Sequence, residues 1–310
     1  MKLAFVVDPL ERLKAYKDSS IAMMREAARR GHEIHALEAR AMFLHEGRVM
    51  ARVARLELSD DDHAWYRAAE PEEVGLARFD LVMMRKDPPF DQEYLYATLL
   101  LDRVQAEGTR VANDPRALRD WNEKLAILDF PALTPPTLVA SDMKRVHDFI
   151  DAQRDVIVKK LDGMGGTMIF RVKADDVNRN VIVETITDFG LRTIMAQRFI
   201  PEIAQGDKRV LVIDGKPFSH CLARIPRAGE TRGNLAAGGT GVARPISRRD
   251  REIAEAVGAR ARAAGIVFAG LDVIGDWLTE VNVTSPTCIV EIAQQTGLNA
   301  AKDLMDALGA

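Results

Sequence analysis

The segment Gly270–Val283 constrains the fold of this 310-residue chain most strongly, because its polar residues fit only one register of a β-hairpin. Glu280 and Asn282 lie two residues apart, so their side chains share one face of an extended strand. Asp272 joins them on that face only if it stands directly opposite Glu280 on the preceding strand. The sequence therefore predicts a hairpin that offers three oxygen donors from one face.

That register also determines the turn. If Asp272 opposes Glu280, the hairpin is centred on Asp276 and its loop has an odd number of residues. A two-residue turn would oppose Asp272 to Thr279 and send its carboxylate to the other face. We therefore expect a three-residue loop or a bulge at Gly275.

The donors of this hairpin favour a particular class of metal. Two carboxylates and one amide oxygen, with no thiolate or imidazole nearby in the sequence, suit Mg²⁺ better than zinc. Mg²⁺ held in this way usually carries phosphates as well, so the hairpin first suggests nucleotide chemistry. The alternative is an ordinary hairpin whose acids are solvated.

Composition narrows the class of protein further. The chain has a net charge of -3 and 47% apolar residues, which allow a large core but lack the basic excess of a nucleic-acid binder. No apolar run approaches the length of a membrane span, and the first one is too short for a signal peptide. Two cysteines make no disulfide framework, so we expect a reducing cytoplasm.

The first 112 residues alternate between short apolar runs and helical patterns. Such alternation predicts a parallel sheet with helices on its faces. No Gly-x-Gly-x-x-Gly motif follows the first strand, so we do not expect a dinucleotide there. The predicted strands are 3–7, 32–37, 80–85 and 109–112, and the predicted helices are 18–30 and 91–107.

A different pattern follows Pro115. Two short helical stretches occupy roughly 115–130, and another helix is expected near 142–152. From Asp155 to Val283 strands dominate, many of them in hairpins, and Asp214-Gly215 is a strong two-residue turn. These changes place domain boundaries near residues 122 and 200.

A glycine-rich loop, residues 162–167, lies between two predicted strands. A Walker A loop would open a helix and end in Gly-Lys-Ser/Thr, and this loop does neither. Glycines between two strands can instead lie flat over phosphates, with Lys159 just ahead as a mobile cation. Gly163, Gly165 and Gly166 exceed what a plain hairpin turn needs, although such a turn is the alternative.

Two further segments point toward the same ligand. Lys124 could approach phosphates from another side, although a single helical lysine is usually just solvated. The pattern of Met195–Pro201 predicts a strand that ends at a hinge, and the backbone edge of this strand could meet an adenine.

Two arginines of the C-terminal part are expected on one face of a sheet. Counting through the Asp214-Gly215 turn, Arg224 falls on the same face as Arg209. Two such charges should repel each other unless an anion lies between them. The alternative is that one or both reach solvent.

Residues 227–241 hold five glycines together with Arg232 and Asn234. A loop this long and permissive inside a compact domain is often a lid, which would exclude water from a reactive intermediate. A disordered surface loop is the alternative.

Together these features resemble the bacterial glutathione synthetase family of the ATP-grasp fold, nearly from end to end. The glycine-rich loop and the Glu-x-Asn element are typical of ATP-grasp enzymes broadly, whereas Arg-Lys-Asp-Pro-Pro-Phe and Thr-Arg-Gly-Asn-Leu point to this one family. Lys160 stands where we expect the family to have proline. The segments that carry the resemblance are Lys17–Ser20, Met84–Asp91, Leu161–Gly166, Ala223–Pro226, Gly229–Gly239 and Val281–Thr287.

The resemblance implies an α/β (α+β) ATP-grasp fold in three parts. These are an N-terminal parallel-sheet pre-ATP-grasp domain that binds substrate (1–122), a small central lid domain (123–200) and a C-terminal mixed-sheet domain with the metal site (201–310). It also implies ATP-dependent ligation of γ-glutamylcysteine to glycine. ATP would phosphorylate the cysteinyl carboxylate, and the amine of glycine would attack the acyl phosphate. The implied assembly is a homotetramer, with no nucleic-acid or membrane partner.

The residue patterns and the resemblance together assign roles to particular positions. Mg²⁺ or Mn²⁺ would be held by Asp272, Glu280 and Asn282, and would offset the charges of carboxylate and γ-phosphate. The catalytic residues would be Arg209, Arg224 and Arg232, which spread the remaining charge. ATP would be bound by Lys124, Lys159, Gly163, Met164, Gly165, Gly166, Gln197, Arg198, Phe199, Ile200 and Asp207. The substrates would be bound by Ser19, Ser20, Arg85, Lys86, Asn234, Ser285 and Thr287.

A further helix is expected to begin at Ser285, with Pro286 at its first position and free N–H groups for a substrate carboxylate. Cys288 near that helix start could be an activated thiolate. No histidine lies near it in the sequence, and the implied reaction needs no covalent enzyme intermediate. We therefore expect Cys288 to be a small buried residue.

Two other functions are compatible with these motifs. One is another ATP-grasp ligase that joins a different acid to a different amine. The other is an ATP-binding module without turnover, which would release no ADP with any acceptor. The complete metal triad argues against the module, because nucleotide binding alone does not require Glu280.

Overall fold

A computed structural model describes residues 1–235 and 238–310 and places them in three β-sheets flanked by helices. Ala236 and Ala237, part of the predicted lid, lie outside the described residues. The strands are β1 Lys2–Val6, β2 Glu33–Leu37, β3 Met42–His45, β4 Arg48–Leu58, β5 Tyr66–Ala68, β6 Glu72–Gly75, β7 Leu81–Met84, β8 Arg110–Ala112, β9 Thr137–Ala140, β10 Asp155–Lys160, β11 Ile169–Lys173, β12 Ile194–Arg198, β13 Asp207–Ile213, β14 Lys216–Ile225, β15 Thr240–Pro245, β16 Phe268–Ile274 and β17 Trp277–Asn282. The α-helices are α1 Ser19–Arg29, α2 Gln92–Ala106, α3 Pro115–Asp120, α4 Met143–Gln153, α5 Arg179–Thr187, α6 Arg248–Ala263, α7 Ile289–Thr296 and α8 Ala300–Leu308.

The N-terminal sheet is built around four parallel strands, as the alternating pattern predicts. β2, β1, β7 and β8 lie side by side and run parallel, and β4 adds an antiparallel neighbour to β2. β1 is buried from Leu3 to Val6, as expected of a parallel strand covered on both faces. The antiparallel strands β3 to β6 lie outside the predicted elements. Asp18 caps α1 by accepting a hydrogen bond from the backbone N–H of Ile21 at 2.9 Å.

The central sheet has the order β11-β10-β12-β9, and its pairings are antiparallel. Alternate residues of β10 explain how it is placed. Val156 and Val158 are fully buried against α4 and α5, whereas Asp155, Ile157 and Lys159 point to the opposite face. That opposite face forms one wall of the candidate site.

The C-terminal sheet has the order β15-β14-β13-β16-β17. Its four described pairings are antiparallel, so the expectation of a mixed sheet is wrong. The predicted Asp214-Gly215 turn is confirmed, because Ile213 pairs with Lys216 across it. The division of the chain at residues 122 and 200 stays a prediction.

The β16–β17 hairpin opposes Asp272 to Glu280, as the metal hypothesis requires. The turn, however, is the two-residue Gly275-Asp276, because Ile274 pairs with Trp277. The prediction of a three-residue loop or a bulge at Gly275 is therefore wrong. The extra residue that restores the register is Thr279, where the pairing shifts between Asp272–Glu280 and Val273–Leu278.

The helix predicted to begin at Ser285 instead begins at Ile289, in α7. Cys288 precedes it with a left-handed φ of +87°, so residues 285–287 approach the helix as irregular backbone. The Ser19 hydroxyl accepts a hydrogen bond from the Ile289 N–H at 3.3 Å. This helix start is consequently tied to α1 of the N-terminal sheet.

A buried asparagine joins the N-terminal sheet to the candidate metal hairpin. The Asn113 amide donates to the carbonyls of Phe268 at 2.7 Å and Val283 at 2.8 Å. Its side-chain oxygen accepts from the N–H groups of Val267 at 2.8 Å and Phe268 at 3.0 Å. Since all these groups are buried or partly buried, Asn113 fixes the base of the hairpin.

Candidate active site

A cavity of about 260 Å³ opens between the central and C-terminal sheets. Most of the predicted site residues line it, although they come from distant parts of the chain. These residues are Lys124, Lys159, Gly163, Met164, Gly165, Gly166, Gln197, Arg198, Phe199, Ile200, Asp207, Arg209, Arg224, Arg232, Asn234, Asp272, Glu280, Asn282, Ser285 and Thr287. The other four, Ser19, Ser20, Arg85 and Lys86, are not among the lining residues.

Asp272 lies between the two arginines that were expected to need an anion. Arg209 donates from Nε to Asp272 Oδ1 at 2.6 Å, and Arg224 Nη2 lies 2.9 Å from Asp272 Oδ2. Burial alone would raise the pKa of Asp272, but the two guanidinium groups outweigh it and lower the pKa. The predicted shared face of Arg209 and Arg224 is therefore confirmed, and Asp272 is the anion between them.

The Glu280 carboxylate contacts both of the lysines that were predicted to bind phosphate. Its Oε1 lies 3.1 Å from Lys159 Nζ and 3.8 Å from Lys124 Nζ. Burial would raise the pKa of Glu280, but Lys124 and Lys159 outweigh that effect and lower the pKa. Lys159 also donates to the carbonyl of the bulged residue Thr279 at 3.3 Å. The bulge thus supplies a second acceptor for the lysine.

Lys124 connects three parts of the cavity. Its Nζ donates to the carbonyl of Gly163 at 2.7 Å and to Glu123 Oε1 at 3.2 Å, besides its contact with Glu280. Only 2% of Lys124 is exposed, so this ammonium is not the solvated surface charge of the alternative interpretation. It ties the glycine-rich loop to the β17 strand.

Glu123 is a site residue that sequence reasoning missed. Its backbone carbonyl accepts a hydrogen bond from the Val281 N–H at 2.8 Å, which places it beside β17 between Glu280 and Asn282. Burial, followed by the neighbouring Glu280 carboxylate, raises the pKa of Glu123 to about 8. Its position directly before Lys124 in the sequence was a signal of its location.

The glycine-rich loop contacts the predicted lid loop, residues 227–241. Arg232 donates from Nη1 to the carbonyl of Gly166 at 3.2 Å and from Nη2 to Glu230 Oε2 at 2.6 Å. A Cβ built on Gly166 would lie 3.1 Å from Asn234 Oδ1, and Gly166 has a φ of +83°. Glycine is therefore favoured at this position by its backbone angle, and an added Cβ would press on two side chains of the lid.

The predicted hinge closes one end of the cavity. Gln197 donates from Nε2 to the Thr137 hydroxyl at 3.1 Å, and the backbone of Phe199 continues the β10–β12 pairing. Asp207 lies nearby with one oxygen, Oδ2, on Arg224 at 2.5 Å and the other, Oδ1, without a partner among the described residues. Burial raises the pKa of Asp207 to about 6, despite Arg224.

The predicted substrate residues of the N-terminal sheet form a buried group next to the 285–288 segment. Arg85 donates from Nε to the Ser20 hydroxyl at 3.0 Å and from Nη2 to the Pro286 carbonyl at 2.9 Å. Arg85 is 5% exposed, and both of these partners are uncharged. Lys86 lies nearer the surface and pairs with Asp8 at 3.0 Å. Arg85 thus reaches the cavity only through the backbone that it holds.

Cys288 lines the cavity but has no chemistry typical of a nucleophile. It is fully buried, and burial raises the pKa of its thiol despite Arg209 and Arg224. This agrees with the expected role of a small buried residue.

The donors at β16 and β17 suit a hard divalent cation. Asn282 donates a hydrogen bond from its amide nitrogen to the Gly270 carbonyl at 3.1 Å, which orients its side chain. The carboxylates of Asp272 and Glu280 lie on the same face of the sheet. Oxygen donors of this kind fit Mg²⁺ or Mn²⁺. Within residues 1–235 and 238–310, no three His, Cys, Asp or Glu side chains form a metal-binding group.

Two family models match the chain. One is described as the prokaryotic glutathione synthetase N-terminal domain and covers residues 1–119. The other is described as the prokaryotic glutathione synthetase ATP-grasp domain and covers residues 123–297.

Curated relatives match over almost their whole length. The glutathione synthetase of Nitrosomonas europaea is 55% identical, over 99% of this chain and 97% of that protein. The glutathione synthetase of Vibrio parahaemolyticus is 51% identical, over 99% of this chain and 98% of that protein.

Solved structures with lower identity share the fold. The D-cycloserine synthetase DcsG superimposes with a TM-score of 0.71 at 16% identity, covering 99% of this chain and 98% of that chain. The ATP-grasp ligase PsnB, complexed with minimal precursor, Mg and ADP, gives a TM-score of 0.61 at 19% identity, covering 98% of this chain and 96% of that chain. The predicted ATP-grasp fold is therefore confirmed.

Proposed function

The chain belongs to the prokaryotic glutathione synthetase family, and from that premise we propose how its cavity joins γ-glutamylcysteine to glycine at the expense of ATP. The protein is an ATP-dependent ligase that forms a carbon–nitrogen bond. The convergence of Lys124 and Lys159 on Glu280 carries the proposal, because it brings phosphate-binding cations next to a metal-binding carboxylate.

The reaction passes through an acyl phosphate. The cysteinyl carboxylate attacks the γ-phosphate of ATP and releases ADP, and the amine of glycine then attacks the acyl carbon and releases phosphate. Both partners of the first step are anions, so the site must offset their repulsion. Arg209 and Arg224 bring two buried guanidinium groups to the wall of the cavity.

The nucleotide is assigned to the wall formed by the central sheet. Lys124, Lys159 and the backbone of Gly163–Gly166 bind the phosphates, and Gln197–Ile200 border the adenine. The unpartnered Oδ1 of Asp207 is a hydrogen-bond acceptor at the same end of the cavity.

Asp272, Glu280 and Asn282 are proposed to hold Mg²⁺ or Mn²⁺. When bound, the cation lowers the charge repulsion between the carboxylate and the γ-phosphate. Glu280 would hold the cation with the carboxylate that now pairs with Lys159 and Lys124, and the two ammonium groups would then be closer to charge balance with phosphate oxygens.

The acid substrate is assigned to the side of the cavity nearest the N-terminal sheet. Ser285 and Thr287 line the cavity there, and Arg85 holds the Pro286 carbonyl between them. Ser19, Ser20 and Lys86 complete the proposed substrate group behind them. Arg232 and Asn234 come from the lid, where they contact the glycine-rich loop and shield the acyl phosphate from water.

Assembly and location are part of the proposal. We propose that the chain assembles as a homotetramer and is located in the cytoplasm. The two buried free cysteines, Cys221 and Cys288, support a reducing compartment. Across the described residues, none of the helices combines the length and the apolarity that a membrane crossing requires.

Release of ADP under defined substrates tests this function. We expect ADP to form over many turnovers only when γ-glutamylcysteine and glycine are both present, together with glutathione in equal amount; without glycine, ADP should not exceed about one equivalent per site. ADP release that does not rise above the level with ATP alone would contradict the assigned substrates. If other acid and amine pairs restore release, the protein is a different ATP-grasp ligase; if none does, it is a nucleotide-binding module.

A further inference from the structure

The hinge at the end of β12 continues the central sheet by one residue. The N–H of Phe199 donates to the carbonyl of Asp155 at 2.9 Å, in line with the Val156–Arg198 pair. Phe199 therefore lies opposite Asp155, on the sheet face that also carries Ile157. Phe199 and Ile157 both line the cavity.

An arginine covers the ring of this hinge residue. The guanidinium carbon of Arg171 lies over the Phe199 ring, 3.6 Å from its centre, which is within the range of a close cation–π contact. The same guanidinium makes two hydrogen bonds to Asp155, from Nε to Oδ1 at 2.9 Å and from Nη2 to Oδ2 at 2.6 Å. Arg171 is thus held over the ring by two hydrogen bonds to its carboxylate partner.

The register explains why these three residues meet. Arg171 opposes Ile157 across β10 and β11, and its diagonal neighbour on the same face is Asp155. Ile169, two residues before Arg171 on β11, shares this face and lines the cavity. The stacked pair consequently stands at the edge of the apolar wall that borders the proposed adenine site.

We propose that Arg171 is a positioning residue for the nucleotide base. Clamped by Asp155, it fixes the Phe199 ring and, through it, the hinge backbone that borders the base. The inference rests on the proposed nucleotide assignment of this cavity. Arg171 does not line the cavity, so it acts through Phe199. Its removal weakens nucleotide binding while leaving glycine binding unaffected.

Arg171→Ala tests this directly, with Arg67→Ala as the matched control. Arg67 is an exposed arginine that pairs with Glu57 across β4 and β5, away from the cavity. We expect Arg171→Ala to raise the KM for ATP and the Kd for ADP, measured by calorimetry, about three- to fivefold, as fits the loss of one partly exposed cation–π contact. The KM for glycine and the melting temperature should match those of Arg67→Ala.

A double-mutant cycle separates positioning from general stability. In a Phe199→Leu background, Arg171→Ala should cause no further loss of ADP affinity, because the stacked ring is absent. Arg171→Lys keeps a cation near the ring but loses the paired hydrogen bonds, so its ADP affinity should lie between those of Arg171→Ala and the unaltered protein.

Three outcomes would overturn the inference. They are an unchanged ADP affinity in Arg171→Ala, an equal rise in the KM values for ATP and glycine, or an Arg171→Ala effect that persists in full with Leu at position 199. Failure of the unaltered protein to bind ADP would instead overturn the proposed function, and this inference with it.

Discussion

Lys159 Nζ lies 3.1 Å from Glu280 Oε1, and this contact joins the central sheet to the C-terminal sheet across the cavity. The lysine precedes the glycine-rich loop, and the glutamate lies on the strand that carries the candidate metal ligands. In the proposed site, an ammonium group and a divalent cation would compete for the same carboxylate. Glu280 would therefore link phosphate binding to metal binding.

Glu280→Gln should keep the fold but remove the charge that attracts the cation. Ligation should fall by about a hundredfold or more, because the anionic substrates then repel each other with less compensation. The binding of Mn²⁺ in the presence of ADP, monitored by electron paramagnetic resonance, should also become weaker. Ligation close to that of the unaltered protein would remove Glu280 from the metal site.

Asp272→Asn should destabilise the folded protein. The substitution leaves the buried guanidinium groups of Arg209 and Arg224 with one carboxylate fewer, at a cost of about 3–5 kcal/mol in the free energy of unfolding. Urea denaturation without ligands measures this, with Asp60→Asn as control. Asp60 forms an exposed pair with Arg29, so its change should stay within about 0.5 kcal/mol. Equal effects would show that the Asp272 pairs add no stability.

Stability should fall as the pH rises from about 6 to about 8. Burial and Glu280 raise the pKa of Glu123 to about 8, from an ordinary value of 4.5, so the folded carboxyl keeps a proton that the unfolded one has lost. The resulting stabilisation is complete below the unfolded pKa and is lost as the pH passes the folded one. Asp207, with its pKa raised to about 6, adds to this trend mainly at lower pH.

Urea denaturation of Glu123→Gln at several pH values checks that assignment. The amide cannot titrate, so the variant should lose the fall in stability between pH 6 and pH 8 that the unaltered protein shows. Identical slopes for the two proteins would assign the titration to another group.

Gly166→Ala should weaken ATP binding. The new Cβ would lie 3.1 Å from Asn234 Oδ1 and 3.2 Å from Arg232 Cδ, at a backbone φ of +83°. These two side chains of the lid must therefore move by a few tenths of an ångström. Gly31→Ala is the matched control, because Gly31 has a φ of +82° and nothing within 4 Å of an added Cβ. Both variants should lose about 1 kcal/mol of stability, but only Gly166→Ala should raise the KM for ATP. If the two variants had the same KM for ATP, the contact between the lid and the glycine-rich loop would not contribute to nucleotide binding.

The sequence predicts the functional face of the C-terminal sheet better than its detailed geometry. Period-two alternation brings Glu280 and Asn282 to one face, and the expected opposition of Asp272 to Glu280 is confirmed. The need for an anion between Arg209 and Arg224 is evident from their spacing. The position of the bulge is not, because a bulge at Thr279 and a longer loop satisfy the same register. Thr279 is instead held by contacts to Asp272 and Lys159, which come from other strands.

Tertiary contacts account for the residues that the sequence did not reveal. Asn113 anchors the hairpin through partners more than 150 positions away, and the sequence around Asn113 gives no indication of them. Glu123 lies in the site beside Lys124, its neighbour in the sequence, and the hydrogen bond from the Val281 N–H to its carbonyl holds it beside β17. The helix start at Ile289 likewise depends on Ser19 of a distant helix, which local propensities do not encode.

In the proposed reaction, the cysteinyl carboxylate of γ-glutamylcysteine is activated as an acyl phosphate before glycine attacks. Mass spectrometry of products formed from dipeptide labelled with ¹⁸O in that carboxylate, unlabelled ATP and glycine tests it most directly. We expect glutathione in equal amount to the released phosphate, with one ¹⁸O atom in each phosphate. Absence of glutathione, or phosphate free of label, would contradict the account.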